Sequence, residues 1–388
     1  MRSYTARWVL PLDRPPLAGG VLTVSDDRVI SIESYRSRPA DDLGDVALLP
    51  GFVNAHTHLD LTGMAGLAPP SADFTSWLQR VIGHRRTRST EQIHADIAAG
   101  IAQSLRFGTT LVGDISADGA SWDPLAASPL RAFVFREILG LTTERAKAAR
   151  ATLDAWIDKR PVGRCRPGIS PHAPYSVHVE LYRAASACGL PVCTHVAESR
   201  DELELLADHR GAFVDFLKGV GGWNPEGLAS SVAHVVGLLA DRSAPVLLAH
   251  ANYLPFDIQL GANVTVVYCP RTHAAFGHPA HPFLDFQARG VRVVLGTDSL
   301  ASNPDLDILA EVRFLHQTRP EVPPETLLRM ATDSESLGVP RDRADMVAVP
   351  VRDGDPYEAV IHSVGPRRVM IGGKWLSDSP PQGINVRA

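Results

Sequence analysis

The residues of this chain that could do chemistry begin with two histidines, His56 and His58, separated by one threonine. They follow an apolar run over residues 46–55 that is typical of a buried strand. Because alternate side chains of an extended strand share a face, both imidazoles can reach one cation. A His-x-His pair alone is weak evidence for a metal site, so its meaning depends on ligands supplied later in the chain.

Chemically active residues also follow other segments that we predict to be strands. They are His172, His195 with Glu198 three residues later, His250 and Asp298. The chain has 15 histidines, and random placement would not be expected to mark successive strand ends in this way. Three neutral imidazoles and one carboxylate can form a catalytic zinc site when water takes the remaining position. We therefore predict His56, His58, His195 and Asp298 as ligands of one divalent metal ion.

Such a site predicts hydrolytic chemistry. A bound metal lowers the pKa of water to about 7, which generates hydroxide at neutral pH. Asp298 is placed to accept the proton of that water, and Glu198 suits a proton shuttle beside the metal. His250 would orient or polarise the attacked centre, and His172 would contact the substrate. Glu137 ends another predicted strand, and the sequence does not decide its role.

The elements that must position these residues alternate between strand and helix. Eight apolar runs are predicted as strands, over residues 47–55, 109–115, 132–139, 167–170, 190–195, 246–250, 264–269 and 291–296. Amphipathic stretches such as 91–106, 144–159, 179–188 and 201–217 are predicted as helices between them. The alternation predicts an α/β fold, a (β/α)8 TIM barrel with its active site at the carboxyl ends of the strands. A doubly wound open sheet fits the same alternation, but no GxGxxG follows the first strand, which removes its dinucleotide-binding version.

Both ends of the chain have a pattern of short predicted strands, which is typical of a β-domain. Short predicted strands lie at residues 8–10, 20–24 and 29–32, and again at 344–349, 359–362 and 368–375. We predict one discontinuous small domain built from residues 1–45 and 345–388, with the catalytic barrel over residues 46–344.

Composition narrows the classes of protein. The 388 residues are 45% hydrophobic and 21% charged. The net charge of −5 gives no excess of positive charge that would favour binding to nucleic acid or an anionic membrane. No apolar run is long enough for a membrane span, and the first residues do not form a signal peptide. The four cysteines are scattered without a CxxC pair, so we expect reduced thiols in a cytoplasmic protein.

The motifs together resemble those of the amidohydrolase superfamily. Residues 50–58, Pro-Gly-Phe-Val-Asn-Ala-His-Thr-His, are similar to its opening motif, and residues 195–198 and 296–298 fall where it has its strand-five and strand-eight motifs. Residues 373–375 resemble the closing strand of its β-sandwich domain. His-x-x-Glu and the His-Ala-Pro-Tyr at 172–175 are closest to its cytosine/adenosine deaminase and chlorohydrolase branch.

The resemblance implies a barrel with a small β-sandwich domain, a homodimer, and one metal ion, zinc or alternatively iron. It also implies hydrolytic release of ammonia from an aminated heterocycle. In that branch the residue matching Glu198 protonates a ring nitrogen, and those matching His250 and Asp298 activate water.

Two segments bear on the substrate. Residues 74–78 resemble a substrate loop of 6-aminodeoxyfutalosine and S-adenosylhomocysteine deaminases, which places Trp77 over an adenine-type ligand. The segment after strand seven starts Cys-Pro-Arg at residue 269, as in some aminodeoxyfutalosine deaminases, but His273 replaces an expected Asn. We take Arg271 and His273 as candidate substrate-binding residues.

Rival classes fail on particular residues. A metallo-β-lactamase site needs His-x-His-x-Asp-His, and Leu61 occupies its last position. Binuclear amidohydrolases need a lysine after strand four, where this chain has Ser170-Pro171-His172. A non-catalytic binding homologue would have lost a ligand or Glu198. We therefore expect a metal-dependent aminohydrolase of a small heterocycle, with a 6-aminopurine nucleoside derivative such as 6-aminodeoxyfutalosine as the leading substrate. A chlorohydrolase-like or guanine/cytosine-type substrate is the alternative.

Overall fold

The strands of the computed structural model form three sheets. The structure describes residues 1–34, 39–240 and 242–376. Within these residues the strands are β1 (Arg2–Thr5), β2 (Trp8–Val9), β3 (Leu17–Ala18), β4 (Val21–Ser25), β5 (Arg28–Glu33), β6 (Asp41–Asp42), β7 (Val46–Pro50), β8 (Phe52–Thr57), β9 (Thr109–Ser116), β10 (Arg131–Ile138), β11 (Cys165–Pro171), β12 (Val192–Val196), β13 (Val246–His250), β14 (Val264–Tyr268), β15 (Arg292–Leu295), β16 (Met346–Pro350), β17 (Arg368–Ile371) and β18 (Lys374–Trp375).

The helices mostly follow the barrel strands. In the described residues they are α1 (Phe74–Thr87), α2 (Thr90–Arg106), α3 (Trp122–Ala127), α4 (Thr143–Ile157), α5 (Val179–Ala187), α6 (Arg200–Asp208), α7 (Ala212–Gly219), α8 (Val232–Ala240), α9 (Pro270–Ala275), α10 (Phe283–Ala288), α11 (Ile308–Thr318), α12 (Pro324–Thr332) and α13 (Pro356–Ile361). Short 3-10 helices lie at Leu59–Met64, Ala117–Gly119, Pro225–Gly227 and Ser334–Leu337. The connection between β13 and β14, residues 251–263, contains no helix, unlike the other connections of the barrel.

Strands β8 to β15 form one parallel sheet in chain order. The sheet closes because Thr57 and Asp298 form a parallel bridge, and the backbone N–H of Asp298 donates to the carbonyl oxygen of His56 at 3.0 Å. The strands are buried on both faces, as parallel strands covered by helices must be; all five residues of β14 are buried. The predicted (β/α)8 barrel is confirmed, and each of the eight predicted runs contains or overlaps a barrel strand.

The first predicted run, over residues 47–55, is two strands of different sheets. Val46–Pro50 pairs with Met346–Pro350, whereas Phe52–Thr57 pairs with β9 inside the barrel. Gly51 alone separates them, and a Cβ atom at this position would collide with the side chain of Thr110. Periodicity could not reveal the break because both strands are apolar and buried.

The ends of the chain form the other two sheets. Strands β5-β4-β1-β6 form one, and β18-β17-β16-β7-β2-β3 form the other, so the six-stranded sheet joins both termini. Buried side chains of the first sheet, such as Tyr4 and Leu22, pack with Leu48, Met346 and Met370 of the second. The two sheets therefore share a core. Residues 35–38 and 377–388 of the predicted small domain lie outside the described residues.

Two predicted elements are wrong. Residues 201–217 are two helices instead of one, because His209 and Gly211 adopt positive φ angles of 54° and 88° between α6 and α7. Residues 359–362 are helical instead of extended. Asp355 accepts hydrogen bonds from the N–H groups of Tyr357 and Glu358, and Pro356 occupies the first turn, so α13 begins there.

None of the helices in the described parts of the chain combines the length and apolar character needed to cross a membrane.

Candidate metal centre and active-site cavity

The histidine pair lies at the carboxyl end of the barrel, against the residue that follows the last strand. The Nε2 atoms of His56 and His58 lie 3.5 and 3.4 Å from Oδ1 of Asp298. Both imidazoles and the carboxylate are buried. Strands β8 and β15 are neighbours across the closure of the barrel, which brings residues 240 positions apart into contact.

Two more histidines complete this cluster. One ligating atom from each of His56, His195, His250 and Asp298 lies within 4.8 Å of the others. His58 is not in that tightest group, but its ring stacks on His195 with centroids 5.4 Å apart. The structure therefore brings all four predicted ligands together and adds His250 at the same point.

The donor set fits a divalent metal ion. The Nε2 atoms of His56 and His250 are buried and have no hydrogen-bond partner among the described residues. Nδ1 of His195 lies 2.8 Å from the carbonyl oxygen of His172, so a proton there leaves Nε2 free to ligate. Burial lowers the pKa of His58 and of His250 to about 3, and lowers the pKa of His195 well below its ordinary value. All three rings are therefore neutral, the form that binds metals.

Two carboxyl groups beside the cluster have pKa values shifted in opposite directions. Burial raises the pKa of Asp298, but the nearby imidazoles of His56, His58 and His250 outweigh burial and lower the pKa overall. Burial, together with the charges of Asp298 and Glu202, raises the pKa of Glu198 well above its usual range. Opposite shifts of this kind are what acid–base catalysis by two neighbouring carboxyl groups requires. Oε1 of Glu198 lies 3.5 Å from Nε2 of His250.

Backbone strain collects at the same strand ends. Ala197, His250, Ala251 and Asp298 have φ angles between 51° and 69°, in the left-handed region that non-glycine residues rarely adopt. Such conformations persist only where the surrounding structure enforces them, and they cluster at functional sites.

A cavity of about 730 Å³ opens above the cluster. His58, His195, Glu198, His250 and Asp298 form its polar floor. Predicted substrate residue His172 also lines it, with Nδ1 2.7 Å from the hydroxyl of Ser176. The apolar walls come from α1, α4 and α7 and include Phe74, Leu78, Val81, Ala149, Phe216 and Leu217.

Trp77 lines the cavity as part of its packed wall. Its indole N–H donates to the carbonyl oxygen of Ala68 at 3.0 Å, and its ring meets that of Phe276 edge to face at 4.9 Å. The side chain presents an apolar surface to the cavity while its polar atom is already satisfied.

The other two candidate substrate residues do not line the cavity. The guanidinium of Arg271 is paired with Asp305 and Glu311, each at 2.7 Å. The ring nitrogens of His273 lie 3.0 Å from Oδ1 of Asn252 and 2.7 Å from the carbonyl oxygen of Pro279. Both side chains are held by polar partners within the protein, and the structure does not bring them to the metal cluster.

Sequence reasoning missed a buried charge cluster in the cavity wall. Arg85 of α1 lies 2.9 Å from Oε2 of Glu137 and 3.3 Å from Oδ2 of Asp60. Burial alone raises the pKa of Glu137, but Arg85 and His172 outweigh it and lower the pKa to about 2. Oε1 of Glu137 is buried, has no hydrogen-bond partner in the described parts of the chain, and lies 4.0 Å from Nε2 of His172. The sequence marks Glu137 as a strand-end residue of undecided role, whereas nothing in it distinguishes Arg85 from its basic neighbours.

The whole arrangement matches a known family. The amidohydrolase family matches residues 47–376, which covers the barrel and the strands that follow it. This chain belongs to the amidohydrolase family. The expected superfamily resemblance is confirmed.

Relatives of this amidohydrolase are deaminases. The aminodeoxyfutalosine deaminase of Deinococcus radiodurans is 32% identical over 348 residues, covering 81% of this chain and 79% of the relative. The 5-methylthioadenosine/S-adenosylhomocysteine deaminase of Moorella thermoacetica is 29% identical over 325 residues, covering 79% and 71%. These relatives support a hydrolytic deaminase.

Solved structures share the fold. The aminofutalosine deaminase of Helicobacter pylori in complex with methylthio-coformycin superposes with a TM-score of 0.84 at 23% identity, covering 97% of this amidohydrolase and all of the other chain. An adenosine deaminase from Xanthomonas campestris with bound zinc gives a TM-score of 0.75 at 24% identity, covering 96% and 92%.

Proposed function

We propose that this amidohydrolase releases ammonia from a 6-aminopurine nucleoside derivative such as aminodeoxyfutalosine, with one zinc ion held by His56, His58, His195 and Asp298. The observation that carries the proposal is the buried cluster of three imidazoles and Asp298 with Glu198 beside it, the pKa of Glu198 being raised and that of Asp298 lowered. Aromatic amidines need a proton donor at the ring and a proton acceptor for water, and these two carboxyl groups supply both.

The metal ion, when bound, supplies a Lewis acid that makes water a nucleophile at neutral pH. Asp298 then accepts the proton of the attacking water. Glu198 gives its proton to a ring nitrogen of the heterocycle, so that the carbon bearing the amino group becomes more electrophilic. After water has added to that carbon, the proton held by Asp298 passes to the amino group, the C–N bond breaks and ammonia leaves, while the remaining hydroxyl proton returns to Glu198. His250 lies 3.5 Å from Glu198 and forms a hydrogen bond at the attacked centre. Its imidazole is neutral because burial lowers its pKa.

The volume and the lining of the cavity favour a nucleoside over a free base as the substrate. The cavity of about 730 Å³ lies within the range of pockets for drug-sized ligands, so it has room for more than a purine ring. Glu137 lines the cavity, and its Oε1, which has no hydrogen-bond partner among the described residues, is available to accept a hydrogen bond from a sugar hydroxyl. Trp77 and Phe74 offer apolar surface for the ring.

Ammonia release from a panel of substrates tests the proposal. The zinc-loaded enzyme is offered aminodeoxyfutalosine, 5-methylthioadenosine, S-adenosylhomocysteine, adenosine, guanine, cytosine and a chlorotriazine. We expect release from the adenine nucleosides with the highest kcat/KM among them for one 5′-substituted member. Release from guanine or cytosine, or chloride from the triazine, would favour the alternative substrates. No release from any compound would refute deamination.

The metal, location and assembly are parts of the same proposal. We propose zinc because imidazole and carboxylate ligands suit it, with iron as the alternative that elemental analysis distinguishes. A cytoplasmic location is supported by the four cysteines, all of which are free. The homodimer is supported by the family resemblance, and sedimentation of the purified protein tests it.

A further inference from the structure

A second group of ligating side chains lies outside the cavity. His316 belongs to α11, Glu358 to α13, and His362 directly follows α13. One ligating atom from each of the three lies within 4.8 Å of the others. None of these residues lines the active-site cavity, and no step of the proposed deamination uses them.

The distances match those of a metal site. Nε2 of His316 lies 3.1 Å from Oε2 of Glu358, and Nε2 of His362 lies 3.4 Å from the same oxygen. Ligands held about 2.0–2.1 Å from a tetrahedral zinc ion are about 3.4 Å from one another. The same separation occurs in the active site, where His56 and His58 lie 3.5 and 3.4 Å from Asp298.

The protein holds the three groups in place. Glu358 and His362 are four residues apart, so they share one face of the helix. Arg313, one turn before His316 on α11, donates to the carbonyl oxygens of Ile361 and Ser363 at the end of α13. Nε2 of His316 is the nitrogen that faces Glu358, whereas Nδ1 is buried without a hydrogen-bond partner among the described residues.

One side of the group is open to solvent. The side chains of His316, Glu358 and His362 are 20%, 40% and 64% exposed. A metal ion can therefore enter directly, and water can complete its coordination. The exposed ring of His362 can rotate to bring its nitrogen closer to that of His316.

We propose that His316, Glu358 and His362 bind one divalent transition-metal ion of the zinc class, with water as the fourth ligand. Two imidazoles and a carboxylate select zinc, copper or nickel over magnesium and calcium. The ion links α11 of the barrel to α13. In the sequence, α13 connects β16 to β17, two strands of the six-stranded sheet. Because the unfolded chain does not hold these three groups together, the bound ion stabilises the folded protein by mass action.

Equilibrium dialysis against zinc followed by elemental analysis tests the site. The complete enzyme is compared with His362→Ala and Glu358→Gln, which change exposed or half-exposed groups, and with His94→Ala, an exposed histidine on α2 that belongs to neither cluster. We expect the first two variants to bind one zinc equivalent fewer than the wild type and His94→Ala, with kcat unchanged. The difference is independent of the metal content of the active site.

Thermal unfolding gives a second measurement. Added zinc should raise the Tm of the wild type and His94→Ala, and should raise it less in His362→Ala. Equal zinc content and an equal Tm response in His362→Ala and wild type would overturn the proposal. The three residues would then form only a hydrogen-bonded ion pair.

Discussion

The carboxylate of Glu202 accepts a hydrogen bond from the backbone N–H of Glu198 at 3.0 Å. Its other oxygen accepts from the N–H of Ala197 at 2.9 Å. Ala197 has a φ of 51°, so the chain turns sharply after β12, and Glu202 is completely buried beneath that turn. One side chain therefore fixes the backbone from which the proposed proton donor projects.

Replacing Glu202 with Gln should loosen this turn. The amide keeps the size of the side chain but has one acceptor oxygen, so one buried N–H loses its partner, at a cost of about 1–3 kcal/mol. We expect a lower free energy of unfolding in urea and a lower kcat with a similar KM. Glu204→Gln, on the same helix but partly exposed, is the control. Equal stability of Glu202→Gln and wild type would show that the turn does not depend on this carboxylate.

Glu198→Gln should abolish turnover while leaving metal content intact. The amide cannot donate the proton that a neutral carboxyl gives to the ring, and general-acid catalysis contributes roughly 10²–10⁴-fold to rates. Ammonia release and elemental analysis of the same preparation measure the two effects. Loss of metal instead of rate would mean that Glu198 acts as a ligand.

Glu137→Gln should weaken the binding of nucleosides and leave that of free bases unchanged. Hydrogen bonds to charged groups contribute about 1.5–3 kcal/mol, so we expect KM to rise roughly 10- to 150-fold. The comparison substrate is a 2′,3′-dideoxy nucleoside, for which wild type and variant should have the same KM. A Tm measurement checks that Arg85, which loses a charged partner, does not unfold the wall. A uniform change in KM for every substrate would contradict a contact with the sugar.

Arg271→Met should destabilise the protein without changing KM. Glu311 is completely buried and would lose its ion pair, which costs about 3–5 kcal/mol when one partner is removed. Arg150→Met removes an exposed pair with Asp154 and should change the free energy of unfolding by less than about 1 kcal/mol. A higher KM with unchanged stability would return Arg271 to the list of substrate-binding residues.

Stability should fall in acid partly because of His281. Burial lowers the pKa of this imidazole to about 3, and Nε2 lies 2.7 Å from the carbonyl oxygen of His250. Below the unfolded value of about 6.5, the unfolded chain binds a proton that the folded protein does not, so each such group removes about 1.4 kcal/mol per pH unit. Above about 6.5 the group has no effect.

Urea denaturation between neutral pH and about pH 4 measures this slope. His281→Gln, whose amide can still donate to His250, should flatten the dependence by the contribution of one group. An unchanged slope would mean that His281 does not carry this part of the acid sensitivity.

Much of the site was predictable because its residues follow strands. The barrel pattern placed His56, His195, His250 and Asp298 at one end of a parallel sheet, and residues in such positions meet whatever their separation in sequence. The position of Glu198 was also predictable, because this carboxyl group comes three residues after His195 and lies beside the cluster, 3.5 Å from His250.

The remainder depended on contacts that a linear pattern does not contain. Arg271 looked available for a ligand, but its partners Asp305 and Glu311 come 34 and 40 residues later. Residues 359–362, expected as a strand, suit either conformation. They are helical because Asp355 caps α13 and Pro356 occupies its first position. The two-helix break after Asp208 arises from His209, a residue type that rarely adopts positive φ.

Gly51 alone joins the six-stranded sheet to β8, the strand that carries His56 and is followed directly by His58. A strand does not lengthen appreciably, so a displacement of β7 along its own direction is passed on to both imidazoles. The sheet formed by the two ends of the chain therefore sets the position along the barrel axis of His56 and His58, two of the four proposed ligands. Loosening that sheet, for example by removing β16, would alter the coordination geometry although every ligand remained in the chain.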